Sequence, residues 1–485
     1  MTKGSPQGNG KQFRGSQNNW PVVRRKTPQS WSDYARCGLG LALLAALHPN
    51  PVHAADEVWP ETSSIDQSIQ SASQLPAGVE LLPAEAYNAG VPLPPGEAPS
   101  NEIDAFASGE NSDLDDFWKP KIHAGVTTSV VFDDNIFITN TAPESDVIFV
   151  TSARVTLAYG NVQSWAARFI ETTARALAED TDEGSDNLIA LTYSPTAEFF
   201  TDNDSLNTTN HDAAATIRWS FTKLRLALDG RFQTLTDPDP DLGRRSDRQL
   251  ISSHLQINYP WTEKTEIEGN LDFQNRDYKR DQDSTQIEAN LFAVYRGMPK
   301  ITWGVGLAVG QLELDGGDTQ NYQQLLLRFG YNTYSKLNFS ASFGGELRQI
   351  DGGDDQLNGV YAIGATYDAT ETTRFLLSLN QQTDPSASQD AQSIERTTIS
   401  LGWDQSLFQA VSLSSNLSYS LSNYSSGNGN NSREDQILSL SITATVEITK
   451  YAFFRLGYIY TNDDSNFLVN SYESNRANLS LTVLF

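Results

Sequence analysis

A chain of 485 residues with 60 acidic against 34 basic side chains carries a formal net charge of −26, which excludes a nucleic-acid binder, since that needs a basic face. Only 38% of the residues are hydrophobic, and no apolar run reaches the roughly 18 residues of a membrane-spanning helix, so a helical membrane protein is excluded. A membrane β-barrel is not, because its lumen face and loops dilute the apolar average, and the single cysteine, Cys37, provides neither a disulfide framework nor a thiolate metal site.

Residues 1–54 read as a secretory signal peptide. Seven basic residues (Lys3, Lys11, Arg14, Arg24, Arg25, Lys26 and Arg36) precede the short apolar run at 38–47, and Val52-His53-Ala54 supplies a small-residue cleavage pattern. The apolar run is too short to anchor the chain in a bilayer, and Tyr34-Ala35-Arg36 before Cys37 does not make a lipobox. Cleavage would remove those seven basic residues and one acidic residue, leaving 27 against 59 and a net charge of −32. Residues 55–118 are rich in Pro, Ser, Glu and Asp, with Val-Pro-Leu-Pro-Pro-Gly at 91–96. That composition cannot bury enough apolar surface to offset chain entropy, so it predicts a mostly disordered periplasmic arm.

From Lys121 onward the pattern has a period of two, the signature of strands with one apolar and one polar face. Ile122, Ala124, Val126, Thr128, Val130 and Phe132 alternate with His123, Gly125, Thr127 and Ser129. Leu413, Leu417, Tyr419 and Leu421 oppose Ser412, Ser414, Asn416, Ser418 and Ser420, and the chain closes on Ala477, Leu479, Leu481, Val483 and Phe485 opposite Asn478, Ser480 and Thr482. Every second connection is very short, as at 222–223, 262–264, 299–300, 335–336, 370–372, 407–409 and 449–450. The intervening ones are longer and rich in Asp, Asn, Gly and Ser, as at 201–210, 237–248, 277–284, 351–356, 425–433 and 461–470. Short turns on one side and longer polar loops on the other match the periplasmic and external ends of an outer-membrane barrel.

Aromatic rings add a third regularity. Tyr159, Phe221, Tyr259, Trp261, Tyr295, Tyr331, Tyr334, Tyr367 and Trp403 fall where strands run into short turns, as in an interfacial girdle. Phe132, Phe199, Phe232, Phe273, Tyr458 and Tyr460 suit the opposite belt. The fold class is therefore all-β: a transmembrane antiparallel up-and-down β-barrel over 119–485 with about 18 strands, 16 or 20 being the alternatives. Trp165, Phe169, Thr173 and Leu177 keep a helical spacing and predict a periplasmic excursion with a short helix at 161–187. An even strand number returns both ends to the periplasm, where strand 472–485 pairs with strand 121–132.

Asp134-Asn135-Ile136-Phe137 after the first strand, and Ser145-Asp146-Val147-Ile148-Phe149 opening the second, resemble the start of the putative β-barrel porin 2 family. The family's strand, turn and loop rhythm continues over about 118–485 to a C-terminal aromatic. The resemblance implies an outer-membrane pore of a Gram-negative bacterium, and some members accompany exopolysaccharide secretion. It also implies that Phe485 belongs to a signal read by the barrel assembly machinery.

The polar rows predict a wet lumen carrying both signs of charge. Arg218, Arg225, Arg231, Arg328, Arg348, Arg374 and Arg396 are expected to face Glu266, Glu268, Asp272, Glu288, Glu346 and Glu447 inside it. Such charges either orient polar solutes in a transverse field or brace the wall as cross-strand pairs. Beyond the signal peptide only His123, His211 and His254 remain, none in a catalytic motif, so the chain reads as a channel and not an enzyme, with no cofactor and no metal site. The Asp-Pro-Asp-Pro-Asp run at 237–241 lacks calcium-loop spacing and reads as a solvated acidic loop, bridged to lipopolysaccharide by divalent ions. The expected function is a channel or conduit for polar solutes, with a secreted exopolysaccharide the favoured cargo. A general diffusion porin, or a structural or adhesive barrel without a through-pore, is the alternative. Outer-membrane lipids and periplasmic polysaccharide-export proteins are the expected partners, and nucleic acid is not.

Overall fold

A computed structural model describes residues 119–160, 187–298, 300–332, 336–351, 355–370, 372–388, 393–408, 410–425, 433–449 and 451–485. The signal peptide, the 55–118 arm, the helical spacing at 161–187 apart from residue 187, and Tyr334 lie outside those residues.

The described residues form one antiparallel sheet of 18 strands. In chain order they are β1 (Lys121–Asp133), β2 (Asp146–Gly160), β3 (Leu188–Phe200), β4 (Thr208–Ser220), β5 (Arg225–Asp239) and β6 (Arg244–Thr262). Then come β7 (Thr265–Tyr278), β8 (Ser284–Met298), β9 (Ile301–Leu314), β10 (Gln320–Asn332), β11 (Leu337–Ile350) and β12 (Gln356–Thr370). The last third holds β13 (Thr373–Pro385), β14 (Ser393–Leu407), β15 (Val411–Ser425), β16 (Glu434–Thr449), β17 (Ala452–Ser465) and β18 (Tyr472–Leu484). Each strand pairs with its neighbours in sequence, and β1 pairs with β18, so the sheet closes on itself and leaves no edge. The closing register sets Val126 opposite Val483 and Ser129 opposite Ser480, and the Phe485 N–H donates to the Ala124 carbonyl at 2.8 Å.

Side-chain period fixes what each face of the closed sheet shows. Leu191, Leu291, Leu307, Leu325 and Leu327 share one face by register and are exposed, as the outside of a barrel in bilayer lipid requires. The other face is inner: Thr216, Ser422 and Asp435 on it are fully buried, and Thr127 and Thr482 hydrogen-bond on it across the closing seam at 2.9 Å. Phe221, Tyr259, Trp261, Tyr295 and Tyr367 stand exposed at the short-turn end, and Phe132, Phe199 and Tyr458 at the other.

One region departs from the sequence reading. The segment 237–248 is not a loop: β5 and β6 continue paired to Asp239↔Arg244, leaving a tight turn at 240–243. Nor is its acidic run solvated, since Asp239 and Asp241 are 1% and 3% exposed. Prolines at 238 and 240 hide the strand pattern, but β5 has already lost β4 at the Asp212↔Gln233 pair. An unpaired edge tolerates proline because no ladder bond is lost there.

Candidate functional site

The inner face carries an ion-pair lattice. Arg218 meets Asp229 at 2.9 Å, Arg231 meets Asp212 at 2.8 Å, and Arg374 meets Asp368 at 2.7 Å. Arg296 reaches Glu266 and Glu268 at 2.9 Å each, Arg328 reaches Glu268 at 2.7 Å, and Arg396 reaches Asp384 at 3.4 Å. Glu346 and Arg348 pair at 2.7 Å with both side chains 2% exposed. Gln324 donates to Glu346, Arg348 donates to Gln320, and the Arg348 guanidinium lies 4.5 Å over the Tyr322 ring. Glu288 accepts from the Tyr322 hydroxyl at 2.8 Å, and Asp272 bonds His254 at 2.6 Å.

Among the charges expected to face one another, Arg328 meets Glu268 and Arg348 meets Glu346. The other arginines with a described partner take acids on nearby strands that the sequence reading passed over: Asp212, Asp229, Asp368 and Asp384. The geometry is that of pairs bracing the wall. Arg225 and Glu447 stand exposed at the short-turn rim. The same period-two rows contain these acids, so alternation carried along the whole of β4, β5, β12 and β13 finds them. His211 lies on the outer face and hydrogen-bonds the Tyr193 hydroxyl at 2.8 Å.

Strand β9 presents Gly304, Gly306, Ala308 and Gly310 to the interior. A Cβ at Gly306 would stand 2.4 Å from the Phe292 ring and one at Gly310 2.2 Å from Tyr322, so these glycines make room for two inward aromatic rings.

The mouth opposite the short turns is crossed by the β5–β6 hairpin. Residues 234–239 pair in the sheet only with 244–249 of β6, and at about 3.3 Å per residue this arm reaches roughly 20 Å. Strand order puts β5 and β6 half-way round the barrel from β14 and β15, yet the hairpin tip touches the loops there. The Asp241 carboxylate accepts from Ser386 Oγ at 3.1 Å and from the Ala387 N–H at 2.6 Å, and Arg433 donates to the Pro240 carbonyl at 2.9 Å and to that of Asp241. From the side of β7–β8, the Gln282 N–H donates to the Ala387 carbonyl at 3.0 Å. At the hairpin's base Arg248 pairs with Asp237 at 2.7 Å and Asp239 at 3.5 Å, while the Tyr278 hydroxyl donates to Asp239 at 3.2 Å. Arg245 donates to the Ile136 carbonyl at 3.4 Å and lies 5.1 Å over the Phe200 ring. The tip is thus held at several points across the mouth.

The residues that carry the family resemblance organise the closing seam. Asn135 donates to the carbonyls of Thr139 and Glu473 at 2.9 Å each, and Asp134 accepts from the backbone and side chain of Asn475 at 2.7 and 2.8 Å. Ile136 and Ile148 pack with Val131, Val150 and Phe200 in one buried apolar cluster. Asp146 gathers donors from Thr201, Asp202 and Asn203, which fixes the β3–β4 loop beside it. Among the described residues no group of three or more His, Cys, Asp or Glu is placed to hold a metal ion.

The model of the putative β-barrel porin 2 family matches residues 355–485, which is β12–β18. The seam motif at 134–149 lies before that match. No curated protein matches the chain. Solved structures similar to it include Acinetobacter baumannii OccAB3, with a TM-score of 0.41, 10% identity and coverage of 76% of this chain and 99% of that one. Pseudomonas aeruginosa OccK2 (OpdF) gives 0.43 and 12% over 75% and 98%, and Pseudomonas aeruginosa OpdO gives 0.42 and 11% over 76% and 97%.

Proposed function

We propose that the protein is an outer-membrane channel of a Gram-negative bacterium, passing polar solutes passively through its lumen, with a secreted exopolysaccharide as cargo. The observation that carries the channel reading is the two-faced closed sheet: apolar side chains outside, and an inner wall of hydroxyls, amides and paired charges. The family match over 355–485 supports it. The choice of cargo rests on the family resemblance alone. The hairpin held across the mouth favours a regulated conduit over a general diffusion porin.

Lipids and lipopolysaccharide contact the outer face in this reading, periplasmic polysaccharide-export proteins engage the short-turn side, and the assembly machinery reads Phe485. A deletion strain tests the cargo: loss of secreted polysaccharide with small-solute uptake intact is the expected result. Normal secretion with impaired uptake would indicate the diffusion porin instead. Removing Phe485 is expected to lower the amount of inserted barrel while leaving unit conductance unchanged; insertion at wild-type levels would remove the terminal residue from the assembly signal.

A further inference from the structure

The contact between Asp241 and the far loops does more than narrow the mouth. We propose that the β5–β6 hairpin is a gate whose closed position is held through Asp241 and is linked to protons, so that the mouth closes in acid and opens as Asp241 ionises.

The geometry supplies each part. The moving element is the two-stranded tip 237–246, whose arms pair in the sheet only with each other and so can swing about a base at Thr236 and Asp247. Its tip touches the opposite rim through Asp241, with Ser386 and Ala387, and through the backbone carbonyls taken by Arg433. Asp241 is 3% exposed and surrounded on every side. Asp239 faces it from its own hairpin, Tyr278 from β7, Tyr424 from β15 and Arg433 from the segment before β16. Ser386 and Ala387 offer a hydroxyl and an N–H, and Arg244 beside the tip is occupied by Asp281. Behind Arg433, Asp435 binds the guanidinium and Asp463 lies beside that pair. Arg433, already held by Asp435, cannot fully stabilise Asp241 as a second anion.

Burial, and then the charge of Asp239, raise the Asp241 carboxyl from 3.8 to about 6, against the opposing pull of the Ala387 N–H, Arg433 and Ser386. A tip released into water would titrate near its ordinary value of 3.8. The sign follows. A raised carboxyl makes the closed state bind the proton more tightly. Closure is therefore at full strength below pH 3.8, is lost as pH rises to about 6, and is level above that. The difference between the two values is roughly a hundredfold in the closed-to-open ratio.

The test needs no cargo. Spin labels on Leu242→Cys at the tip and Phe467→Cys in the β17–β18 loop, in the full chain with Cys37→Ser folded into lipid, report tip position by electron–electron distance. At pH 4 a single short distance is expected, and by pH 7 a longer population, with the change falling between 4 and 6. Asp241→Asn, a neutral isostere, is expected to hold the short distance at both pH values, and its fold is checked by heat-modifiable gel mobility. Identical distance distributions at pH 4 and 7, or an unchanged pH response in Asp241→Asn, would overturn the proposal. Single-channel recordings separate this from the channel reading, on which only the gate's use depends: current that ignores pH sinks the gate and spares the channel.

Discussion

At the scale of the residue, the inner wall shows how an 18-stranded barrel keeps a charged interior folded. Glu346 and Arg348 are buried together, with Gln320, Gln324 and the Tyr322 ring satisfying what the pair leaves open. Removing one partner strands the other charge, so Arg348→Ala is expected to lower stability by about 3–5 kcal/mol in urea unfolding from micelles. Arg374→Ala, whose pair with Asp368 is well solvated, should shift the midpoint hardly at all. A loss at position 348 no larger than that at 374 would deny the buried pair its structural role. The β9 glycines give a second contrast. Gly310→Val drives a side chain into Tyr322 and should cost about 1–3 kcal/mol, whereas Gly345→Ala meets nothing within 4 Å and should be nearly silent.

Among the elements, the strands were open to a reader of the sequence and the hairpin was not. Alternation locates all 18 strands because the bilayer forces one face of each to be apolar, and β15, with serines and one asparagine opposite Leu413, Leu417 and Tyr419, displays the rule openly. Beyond the membrane that force lapses. Residues 234–246 leave the bilayer and meet protein on both faces, so their pattern becomes Asp, Pro and Arg, which reads as a solvated loop. The partners of Asp241, Ser386 and Ala387, lie 145 and 146 positions away in sequence, and no local period reports contacts across a mouth. The same limit explains the ion pairs: parity fixes the face a charge occupies, but the stagger between strands chooses its partner. The seam motif is a nearer case. Asn135 bridges β1 to β18, so Asn135→Ala should cost about 1–3 kcal/mol. It should also expose the 134–145 loop to proteolysis; unchanged cleavage there would free the motif from this role.

For the whole molecule, closure of β1 on β18 turns a two-faced sheet into a wall between lipid and water, and the hairpin turns that wall into a passage that can be shut. Planar-bilayer recording of the 55–485 protein, folded in detergent, measures that passage directly. Stepwise currents, larger at pH 7 than at pH 4, are the predicted result. A barrel that inserts, resists heat on a gel as a folded barrel does and still carries no current at any pH from 4 to 8, with the hairpin intact or with residues 236–245 excised, would contradict it.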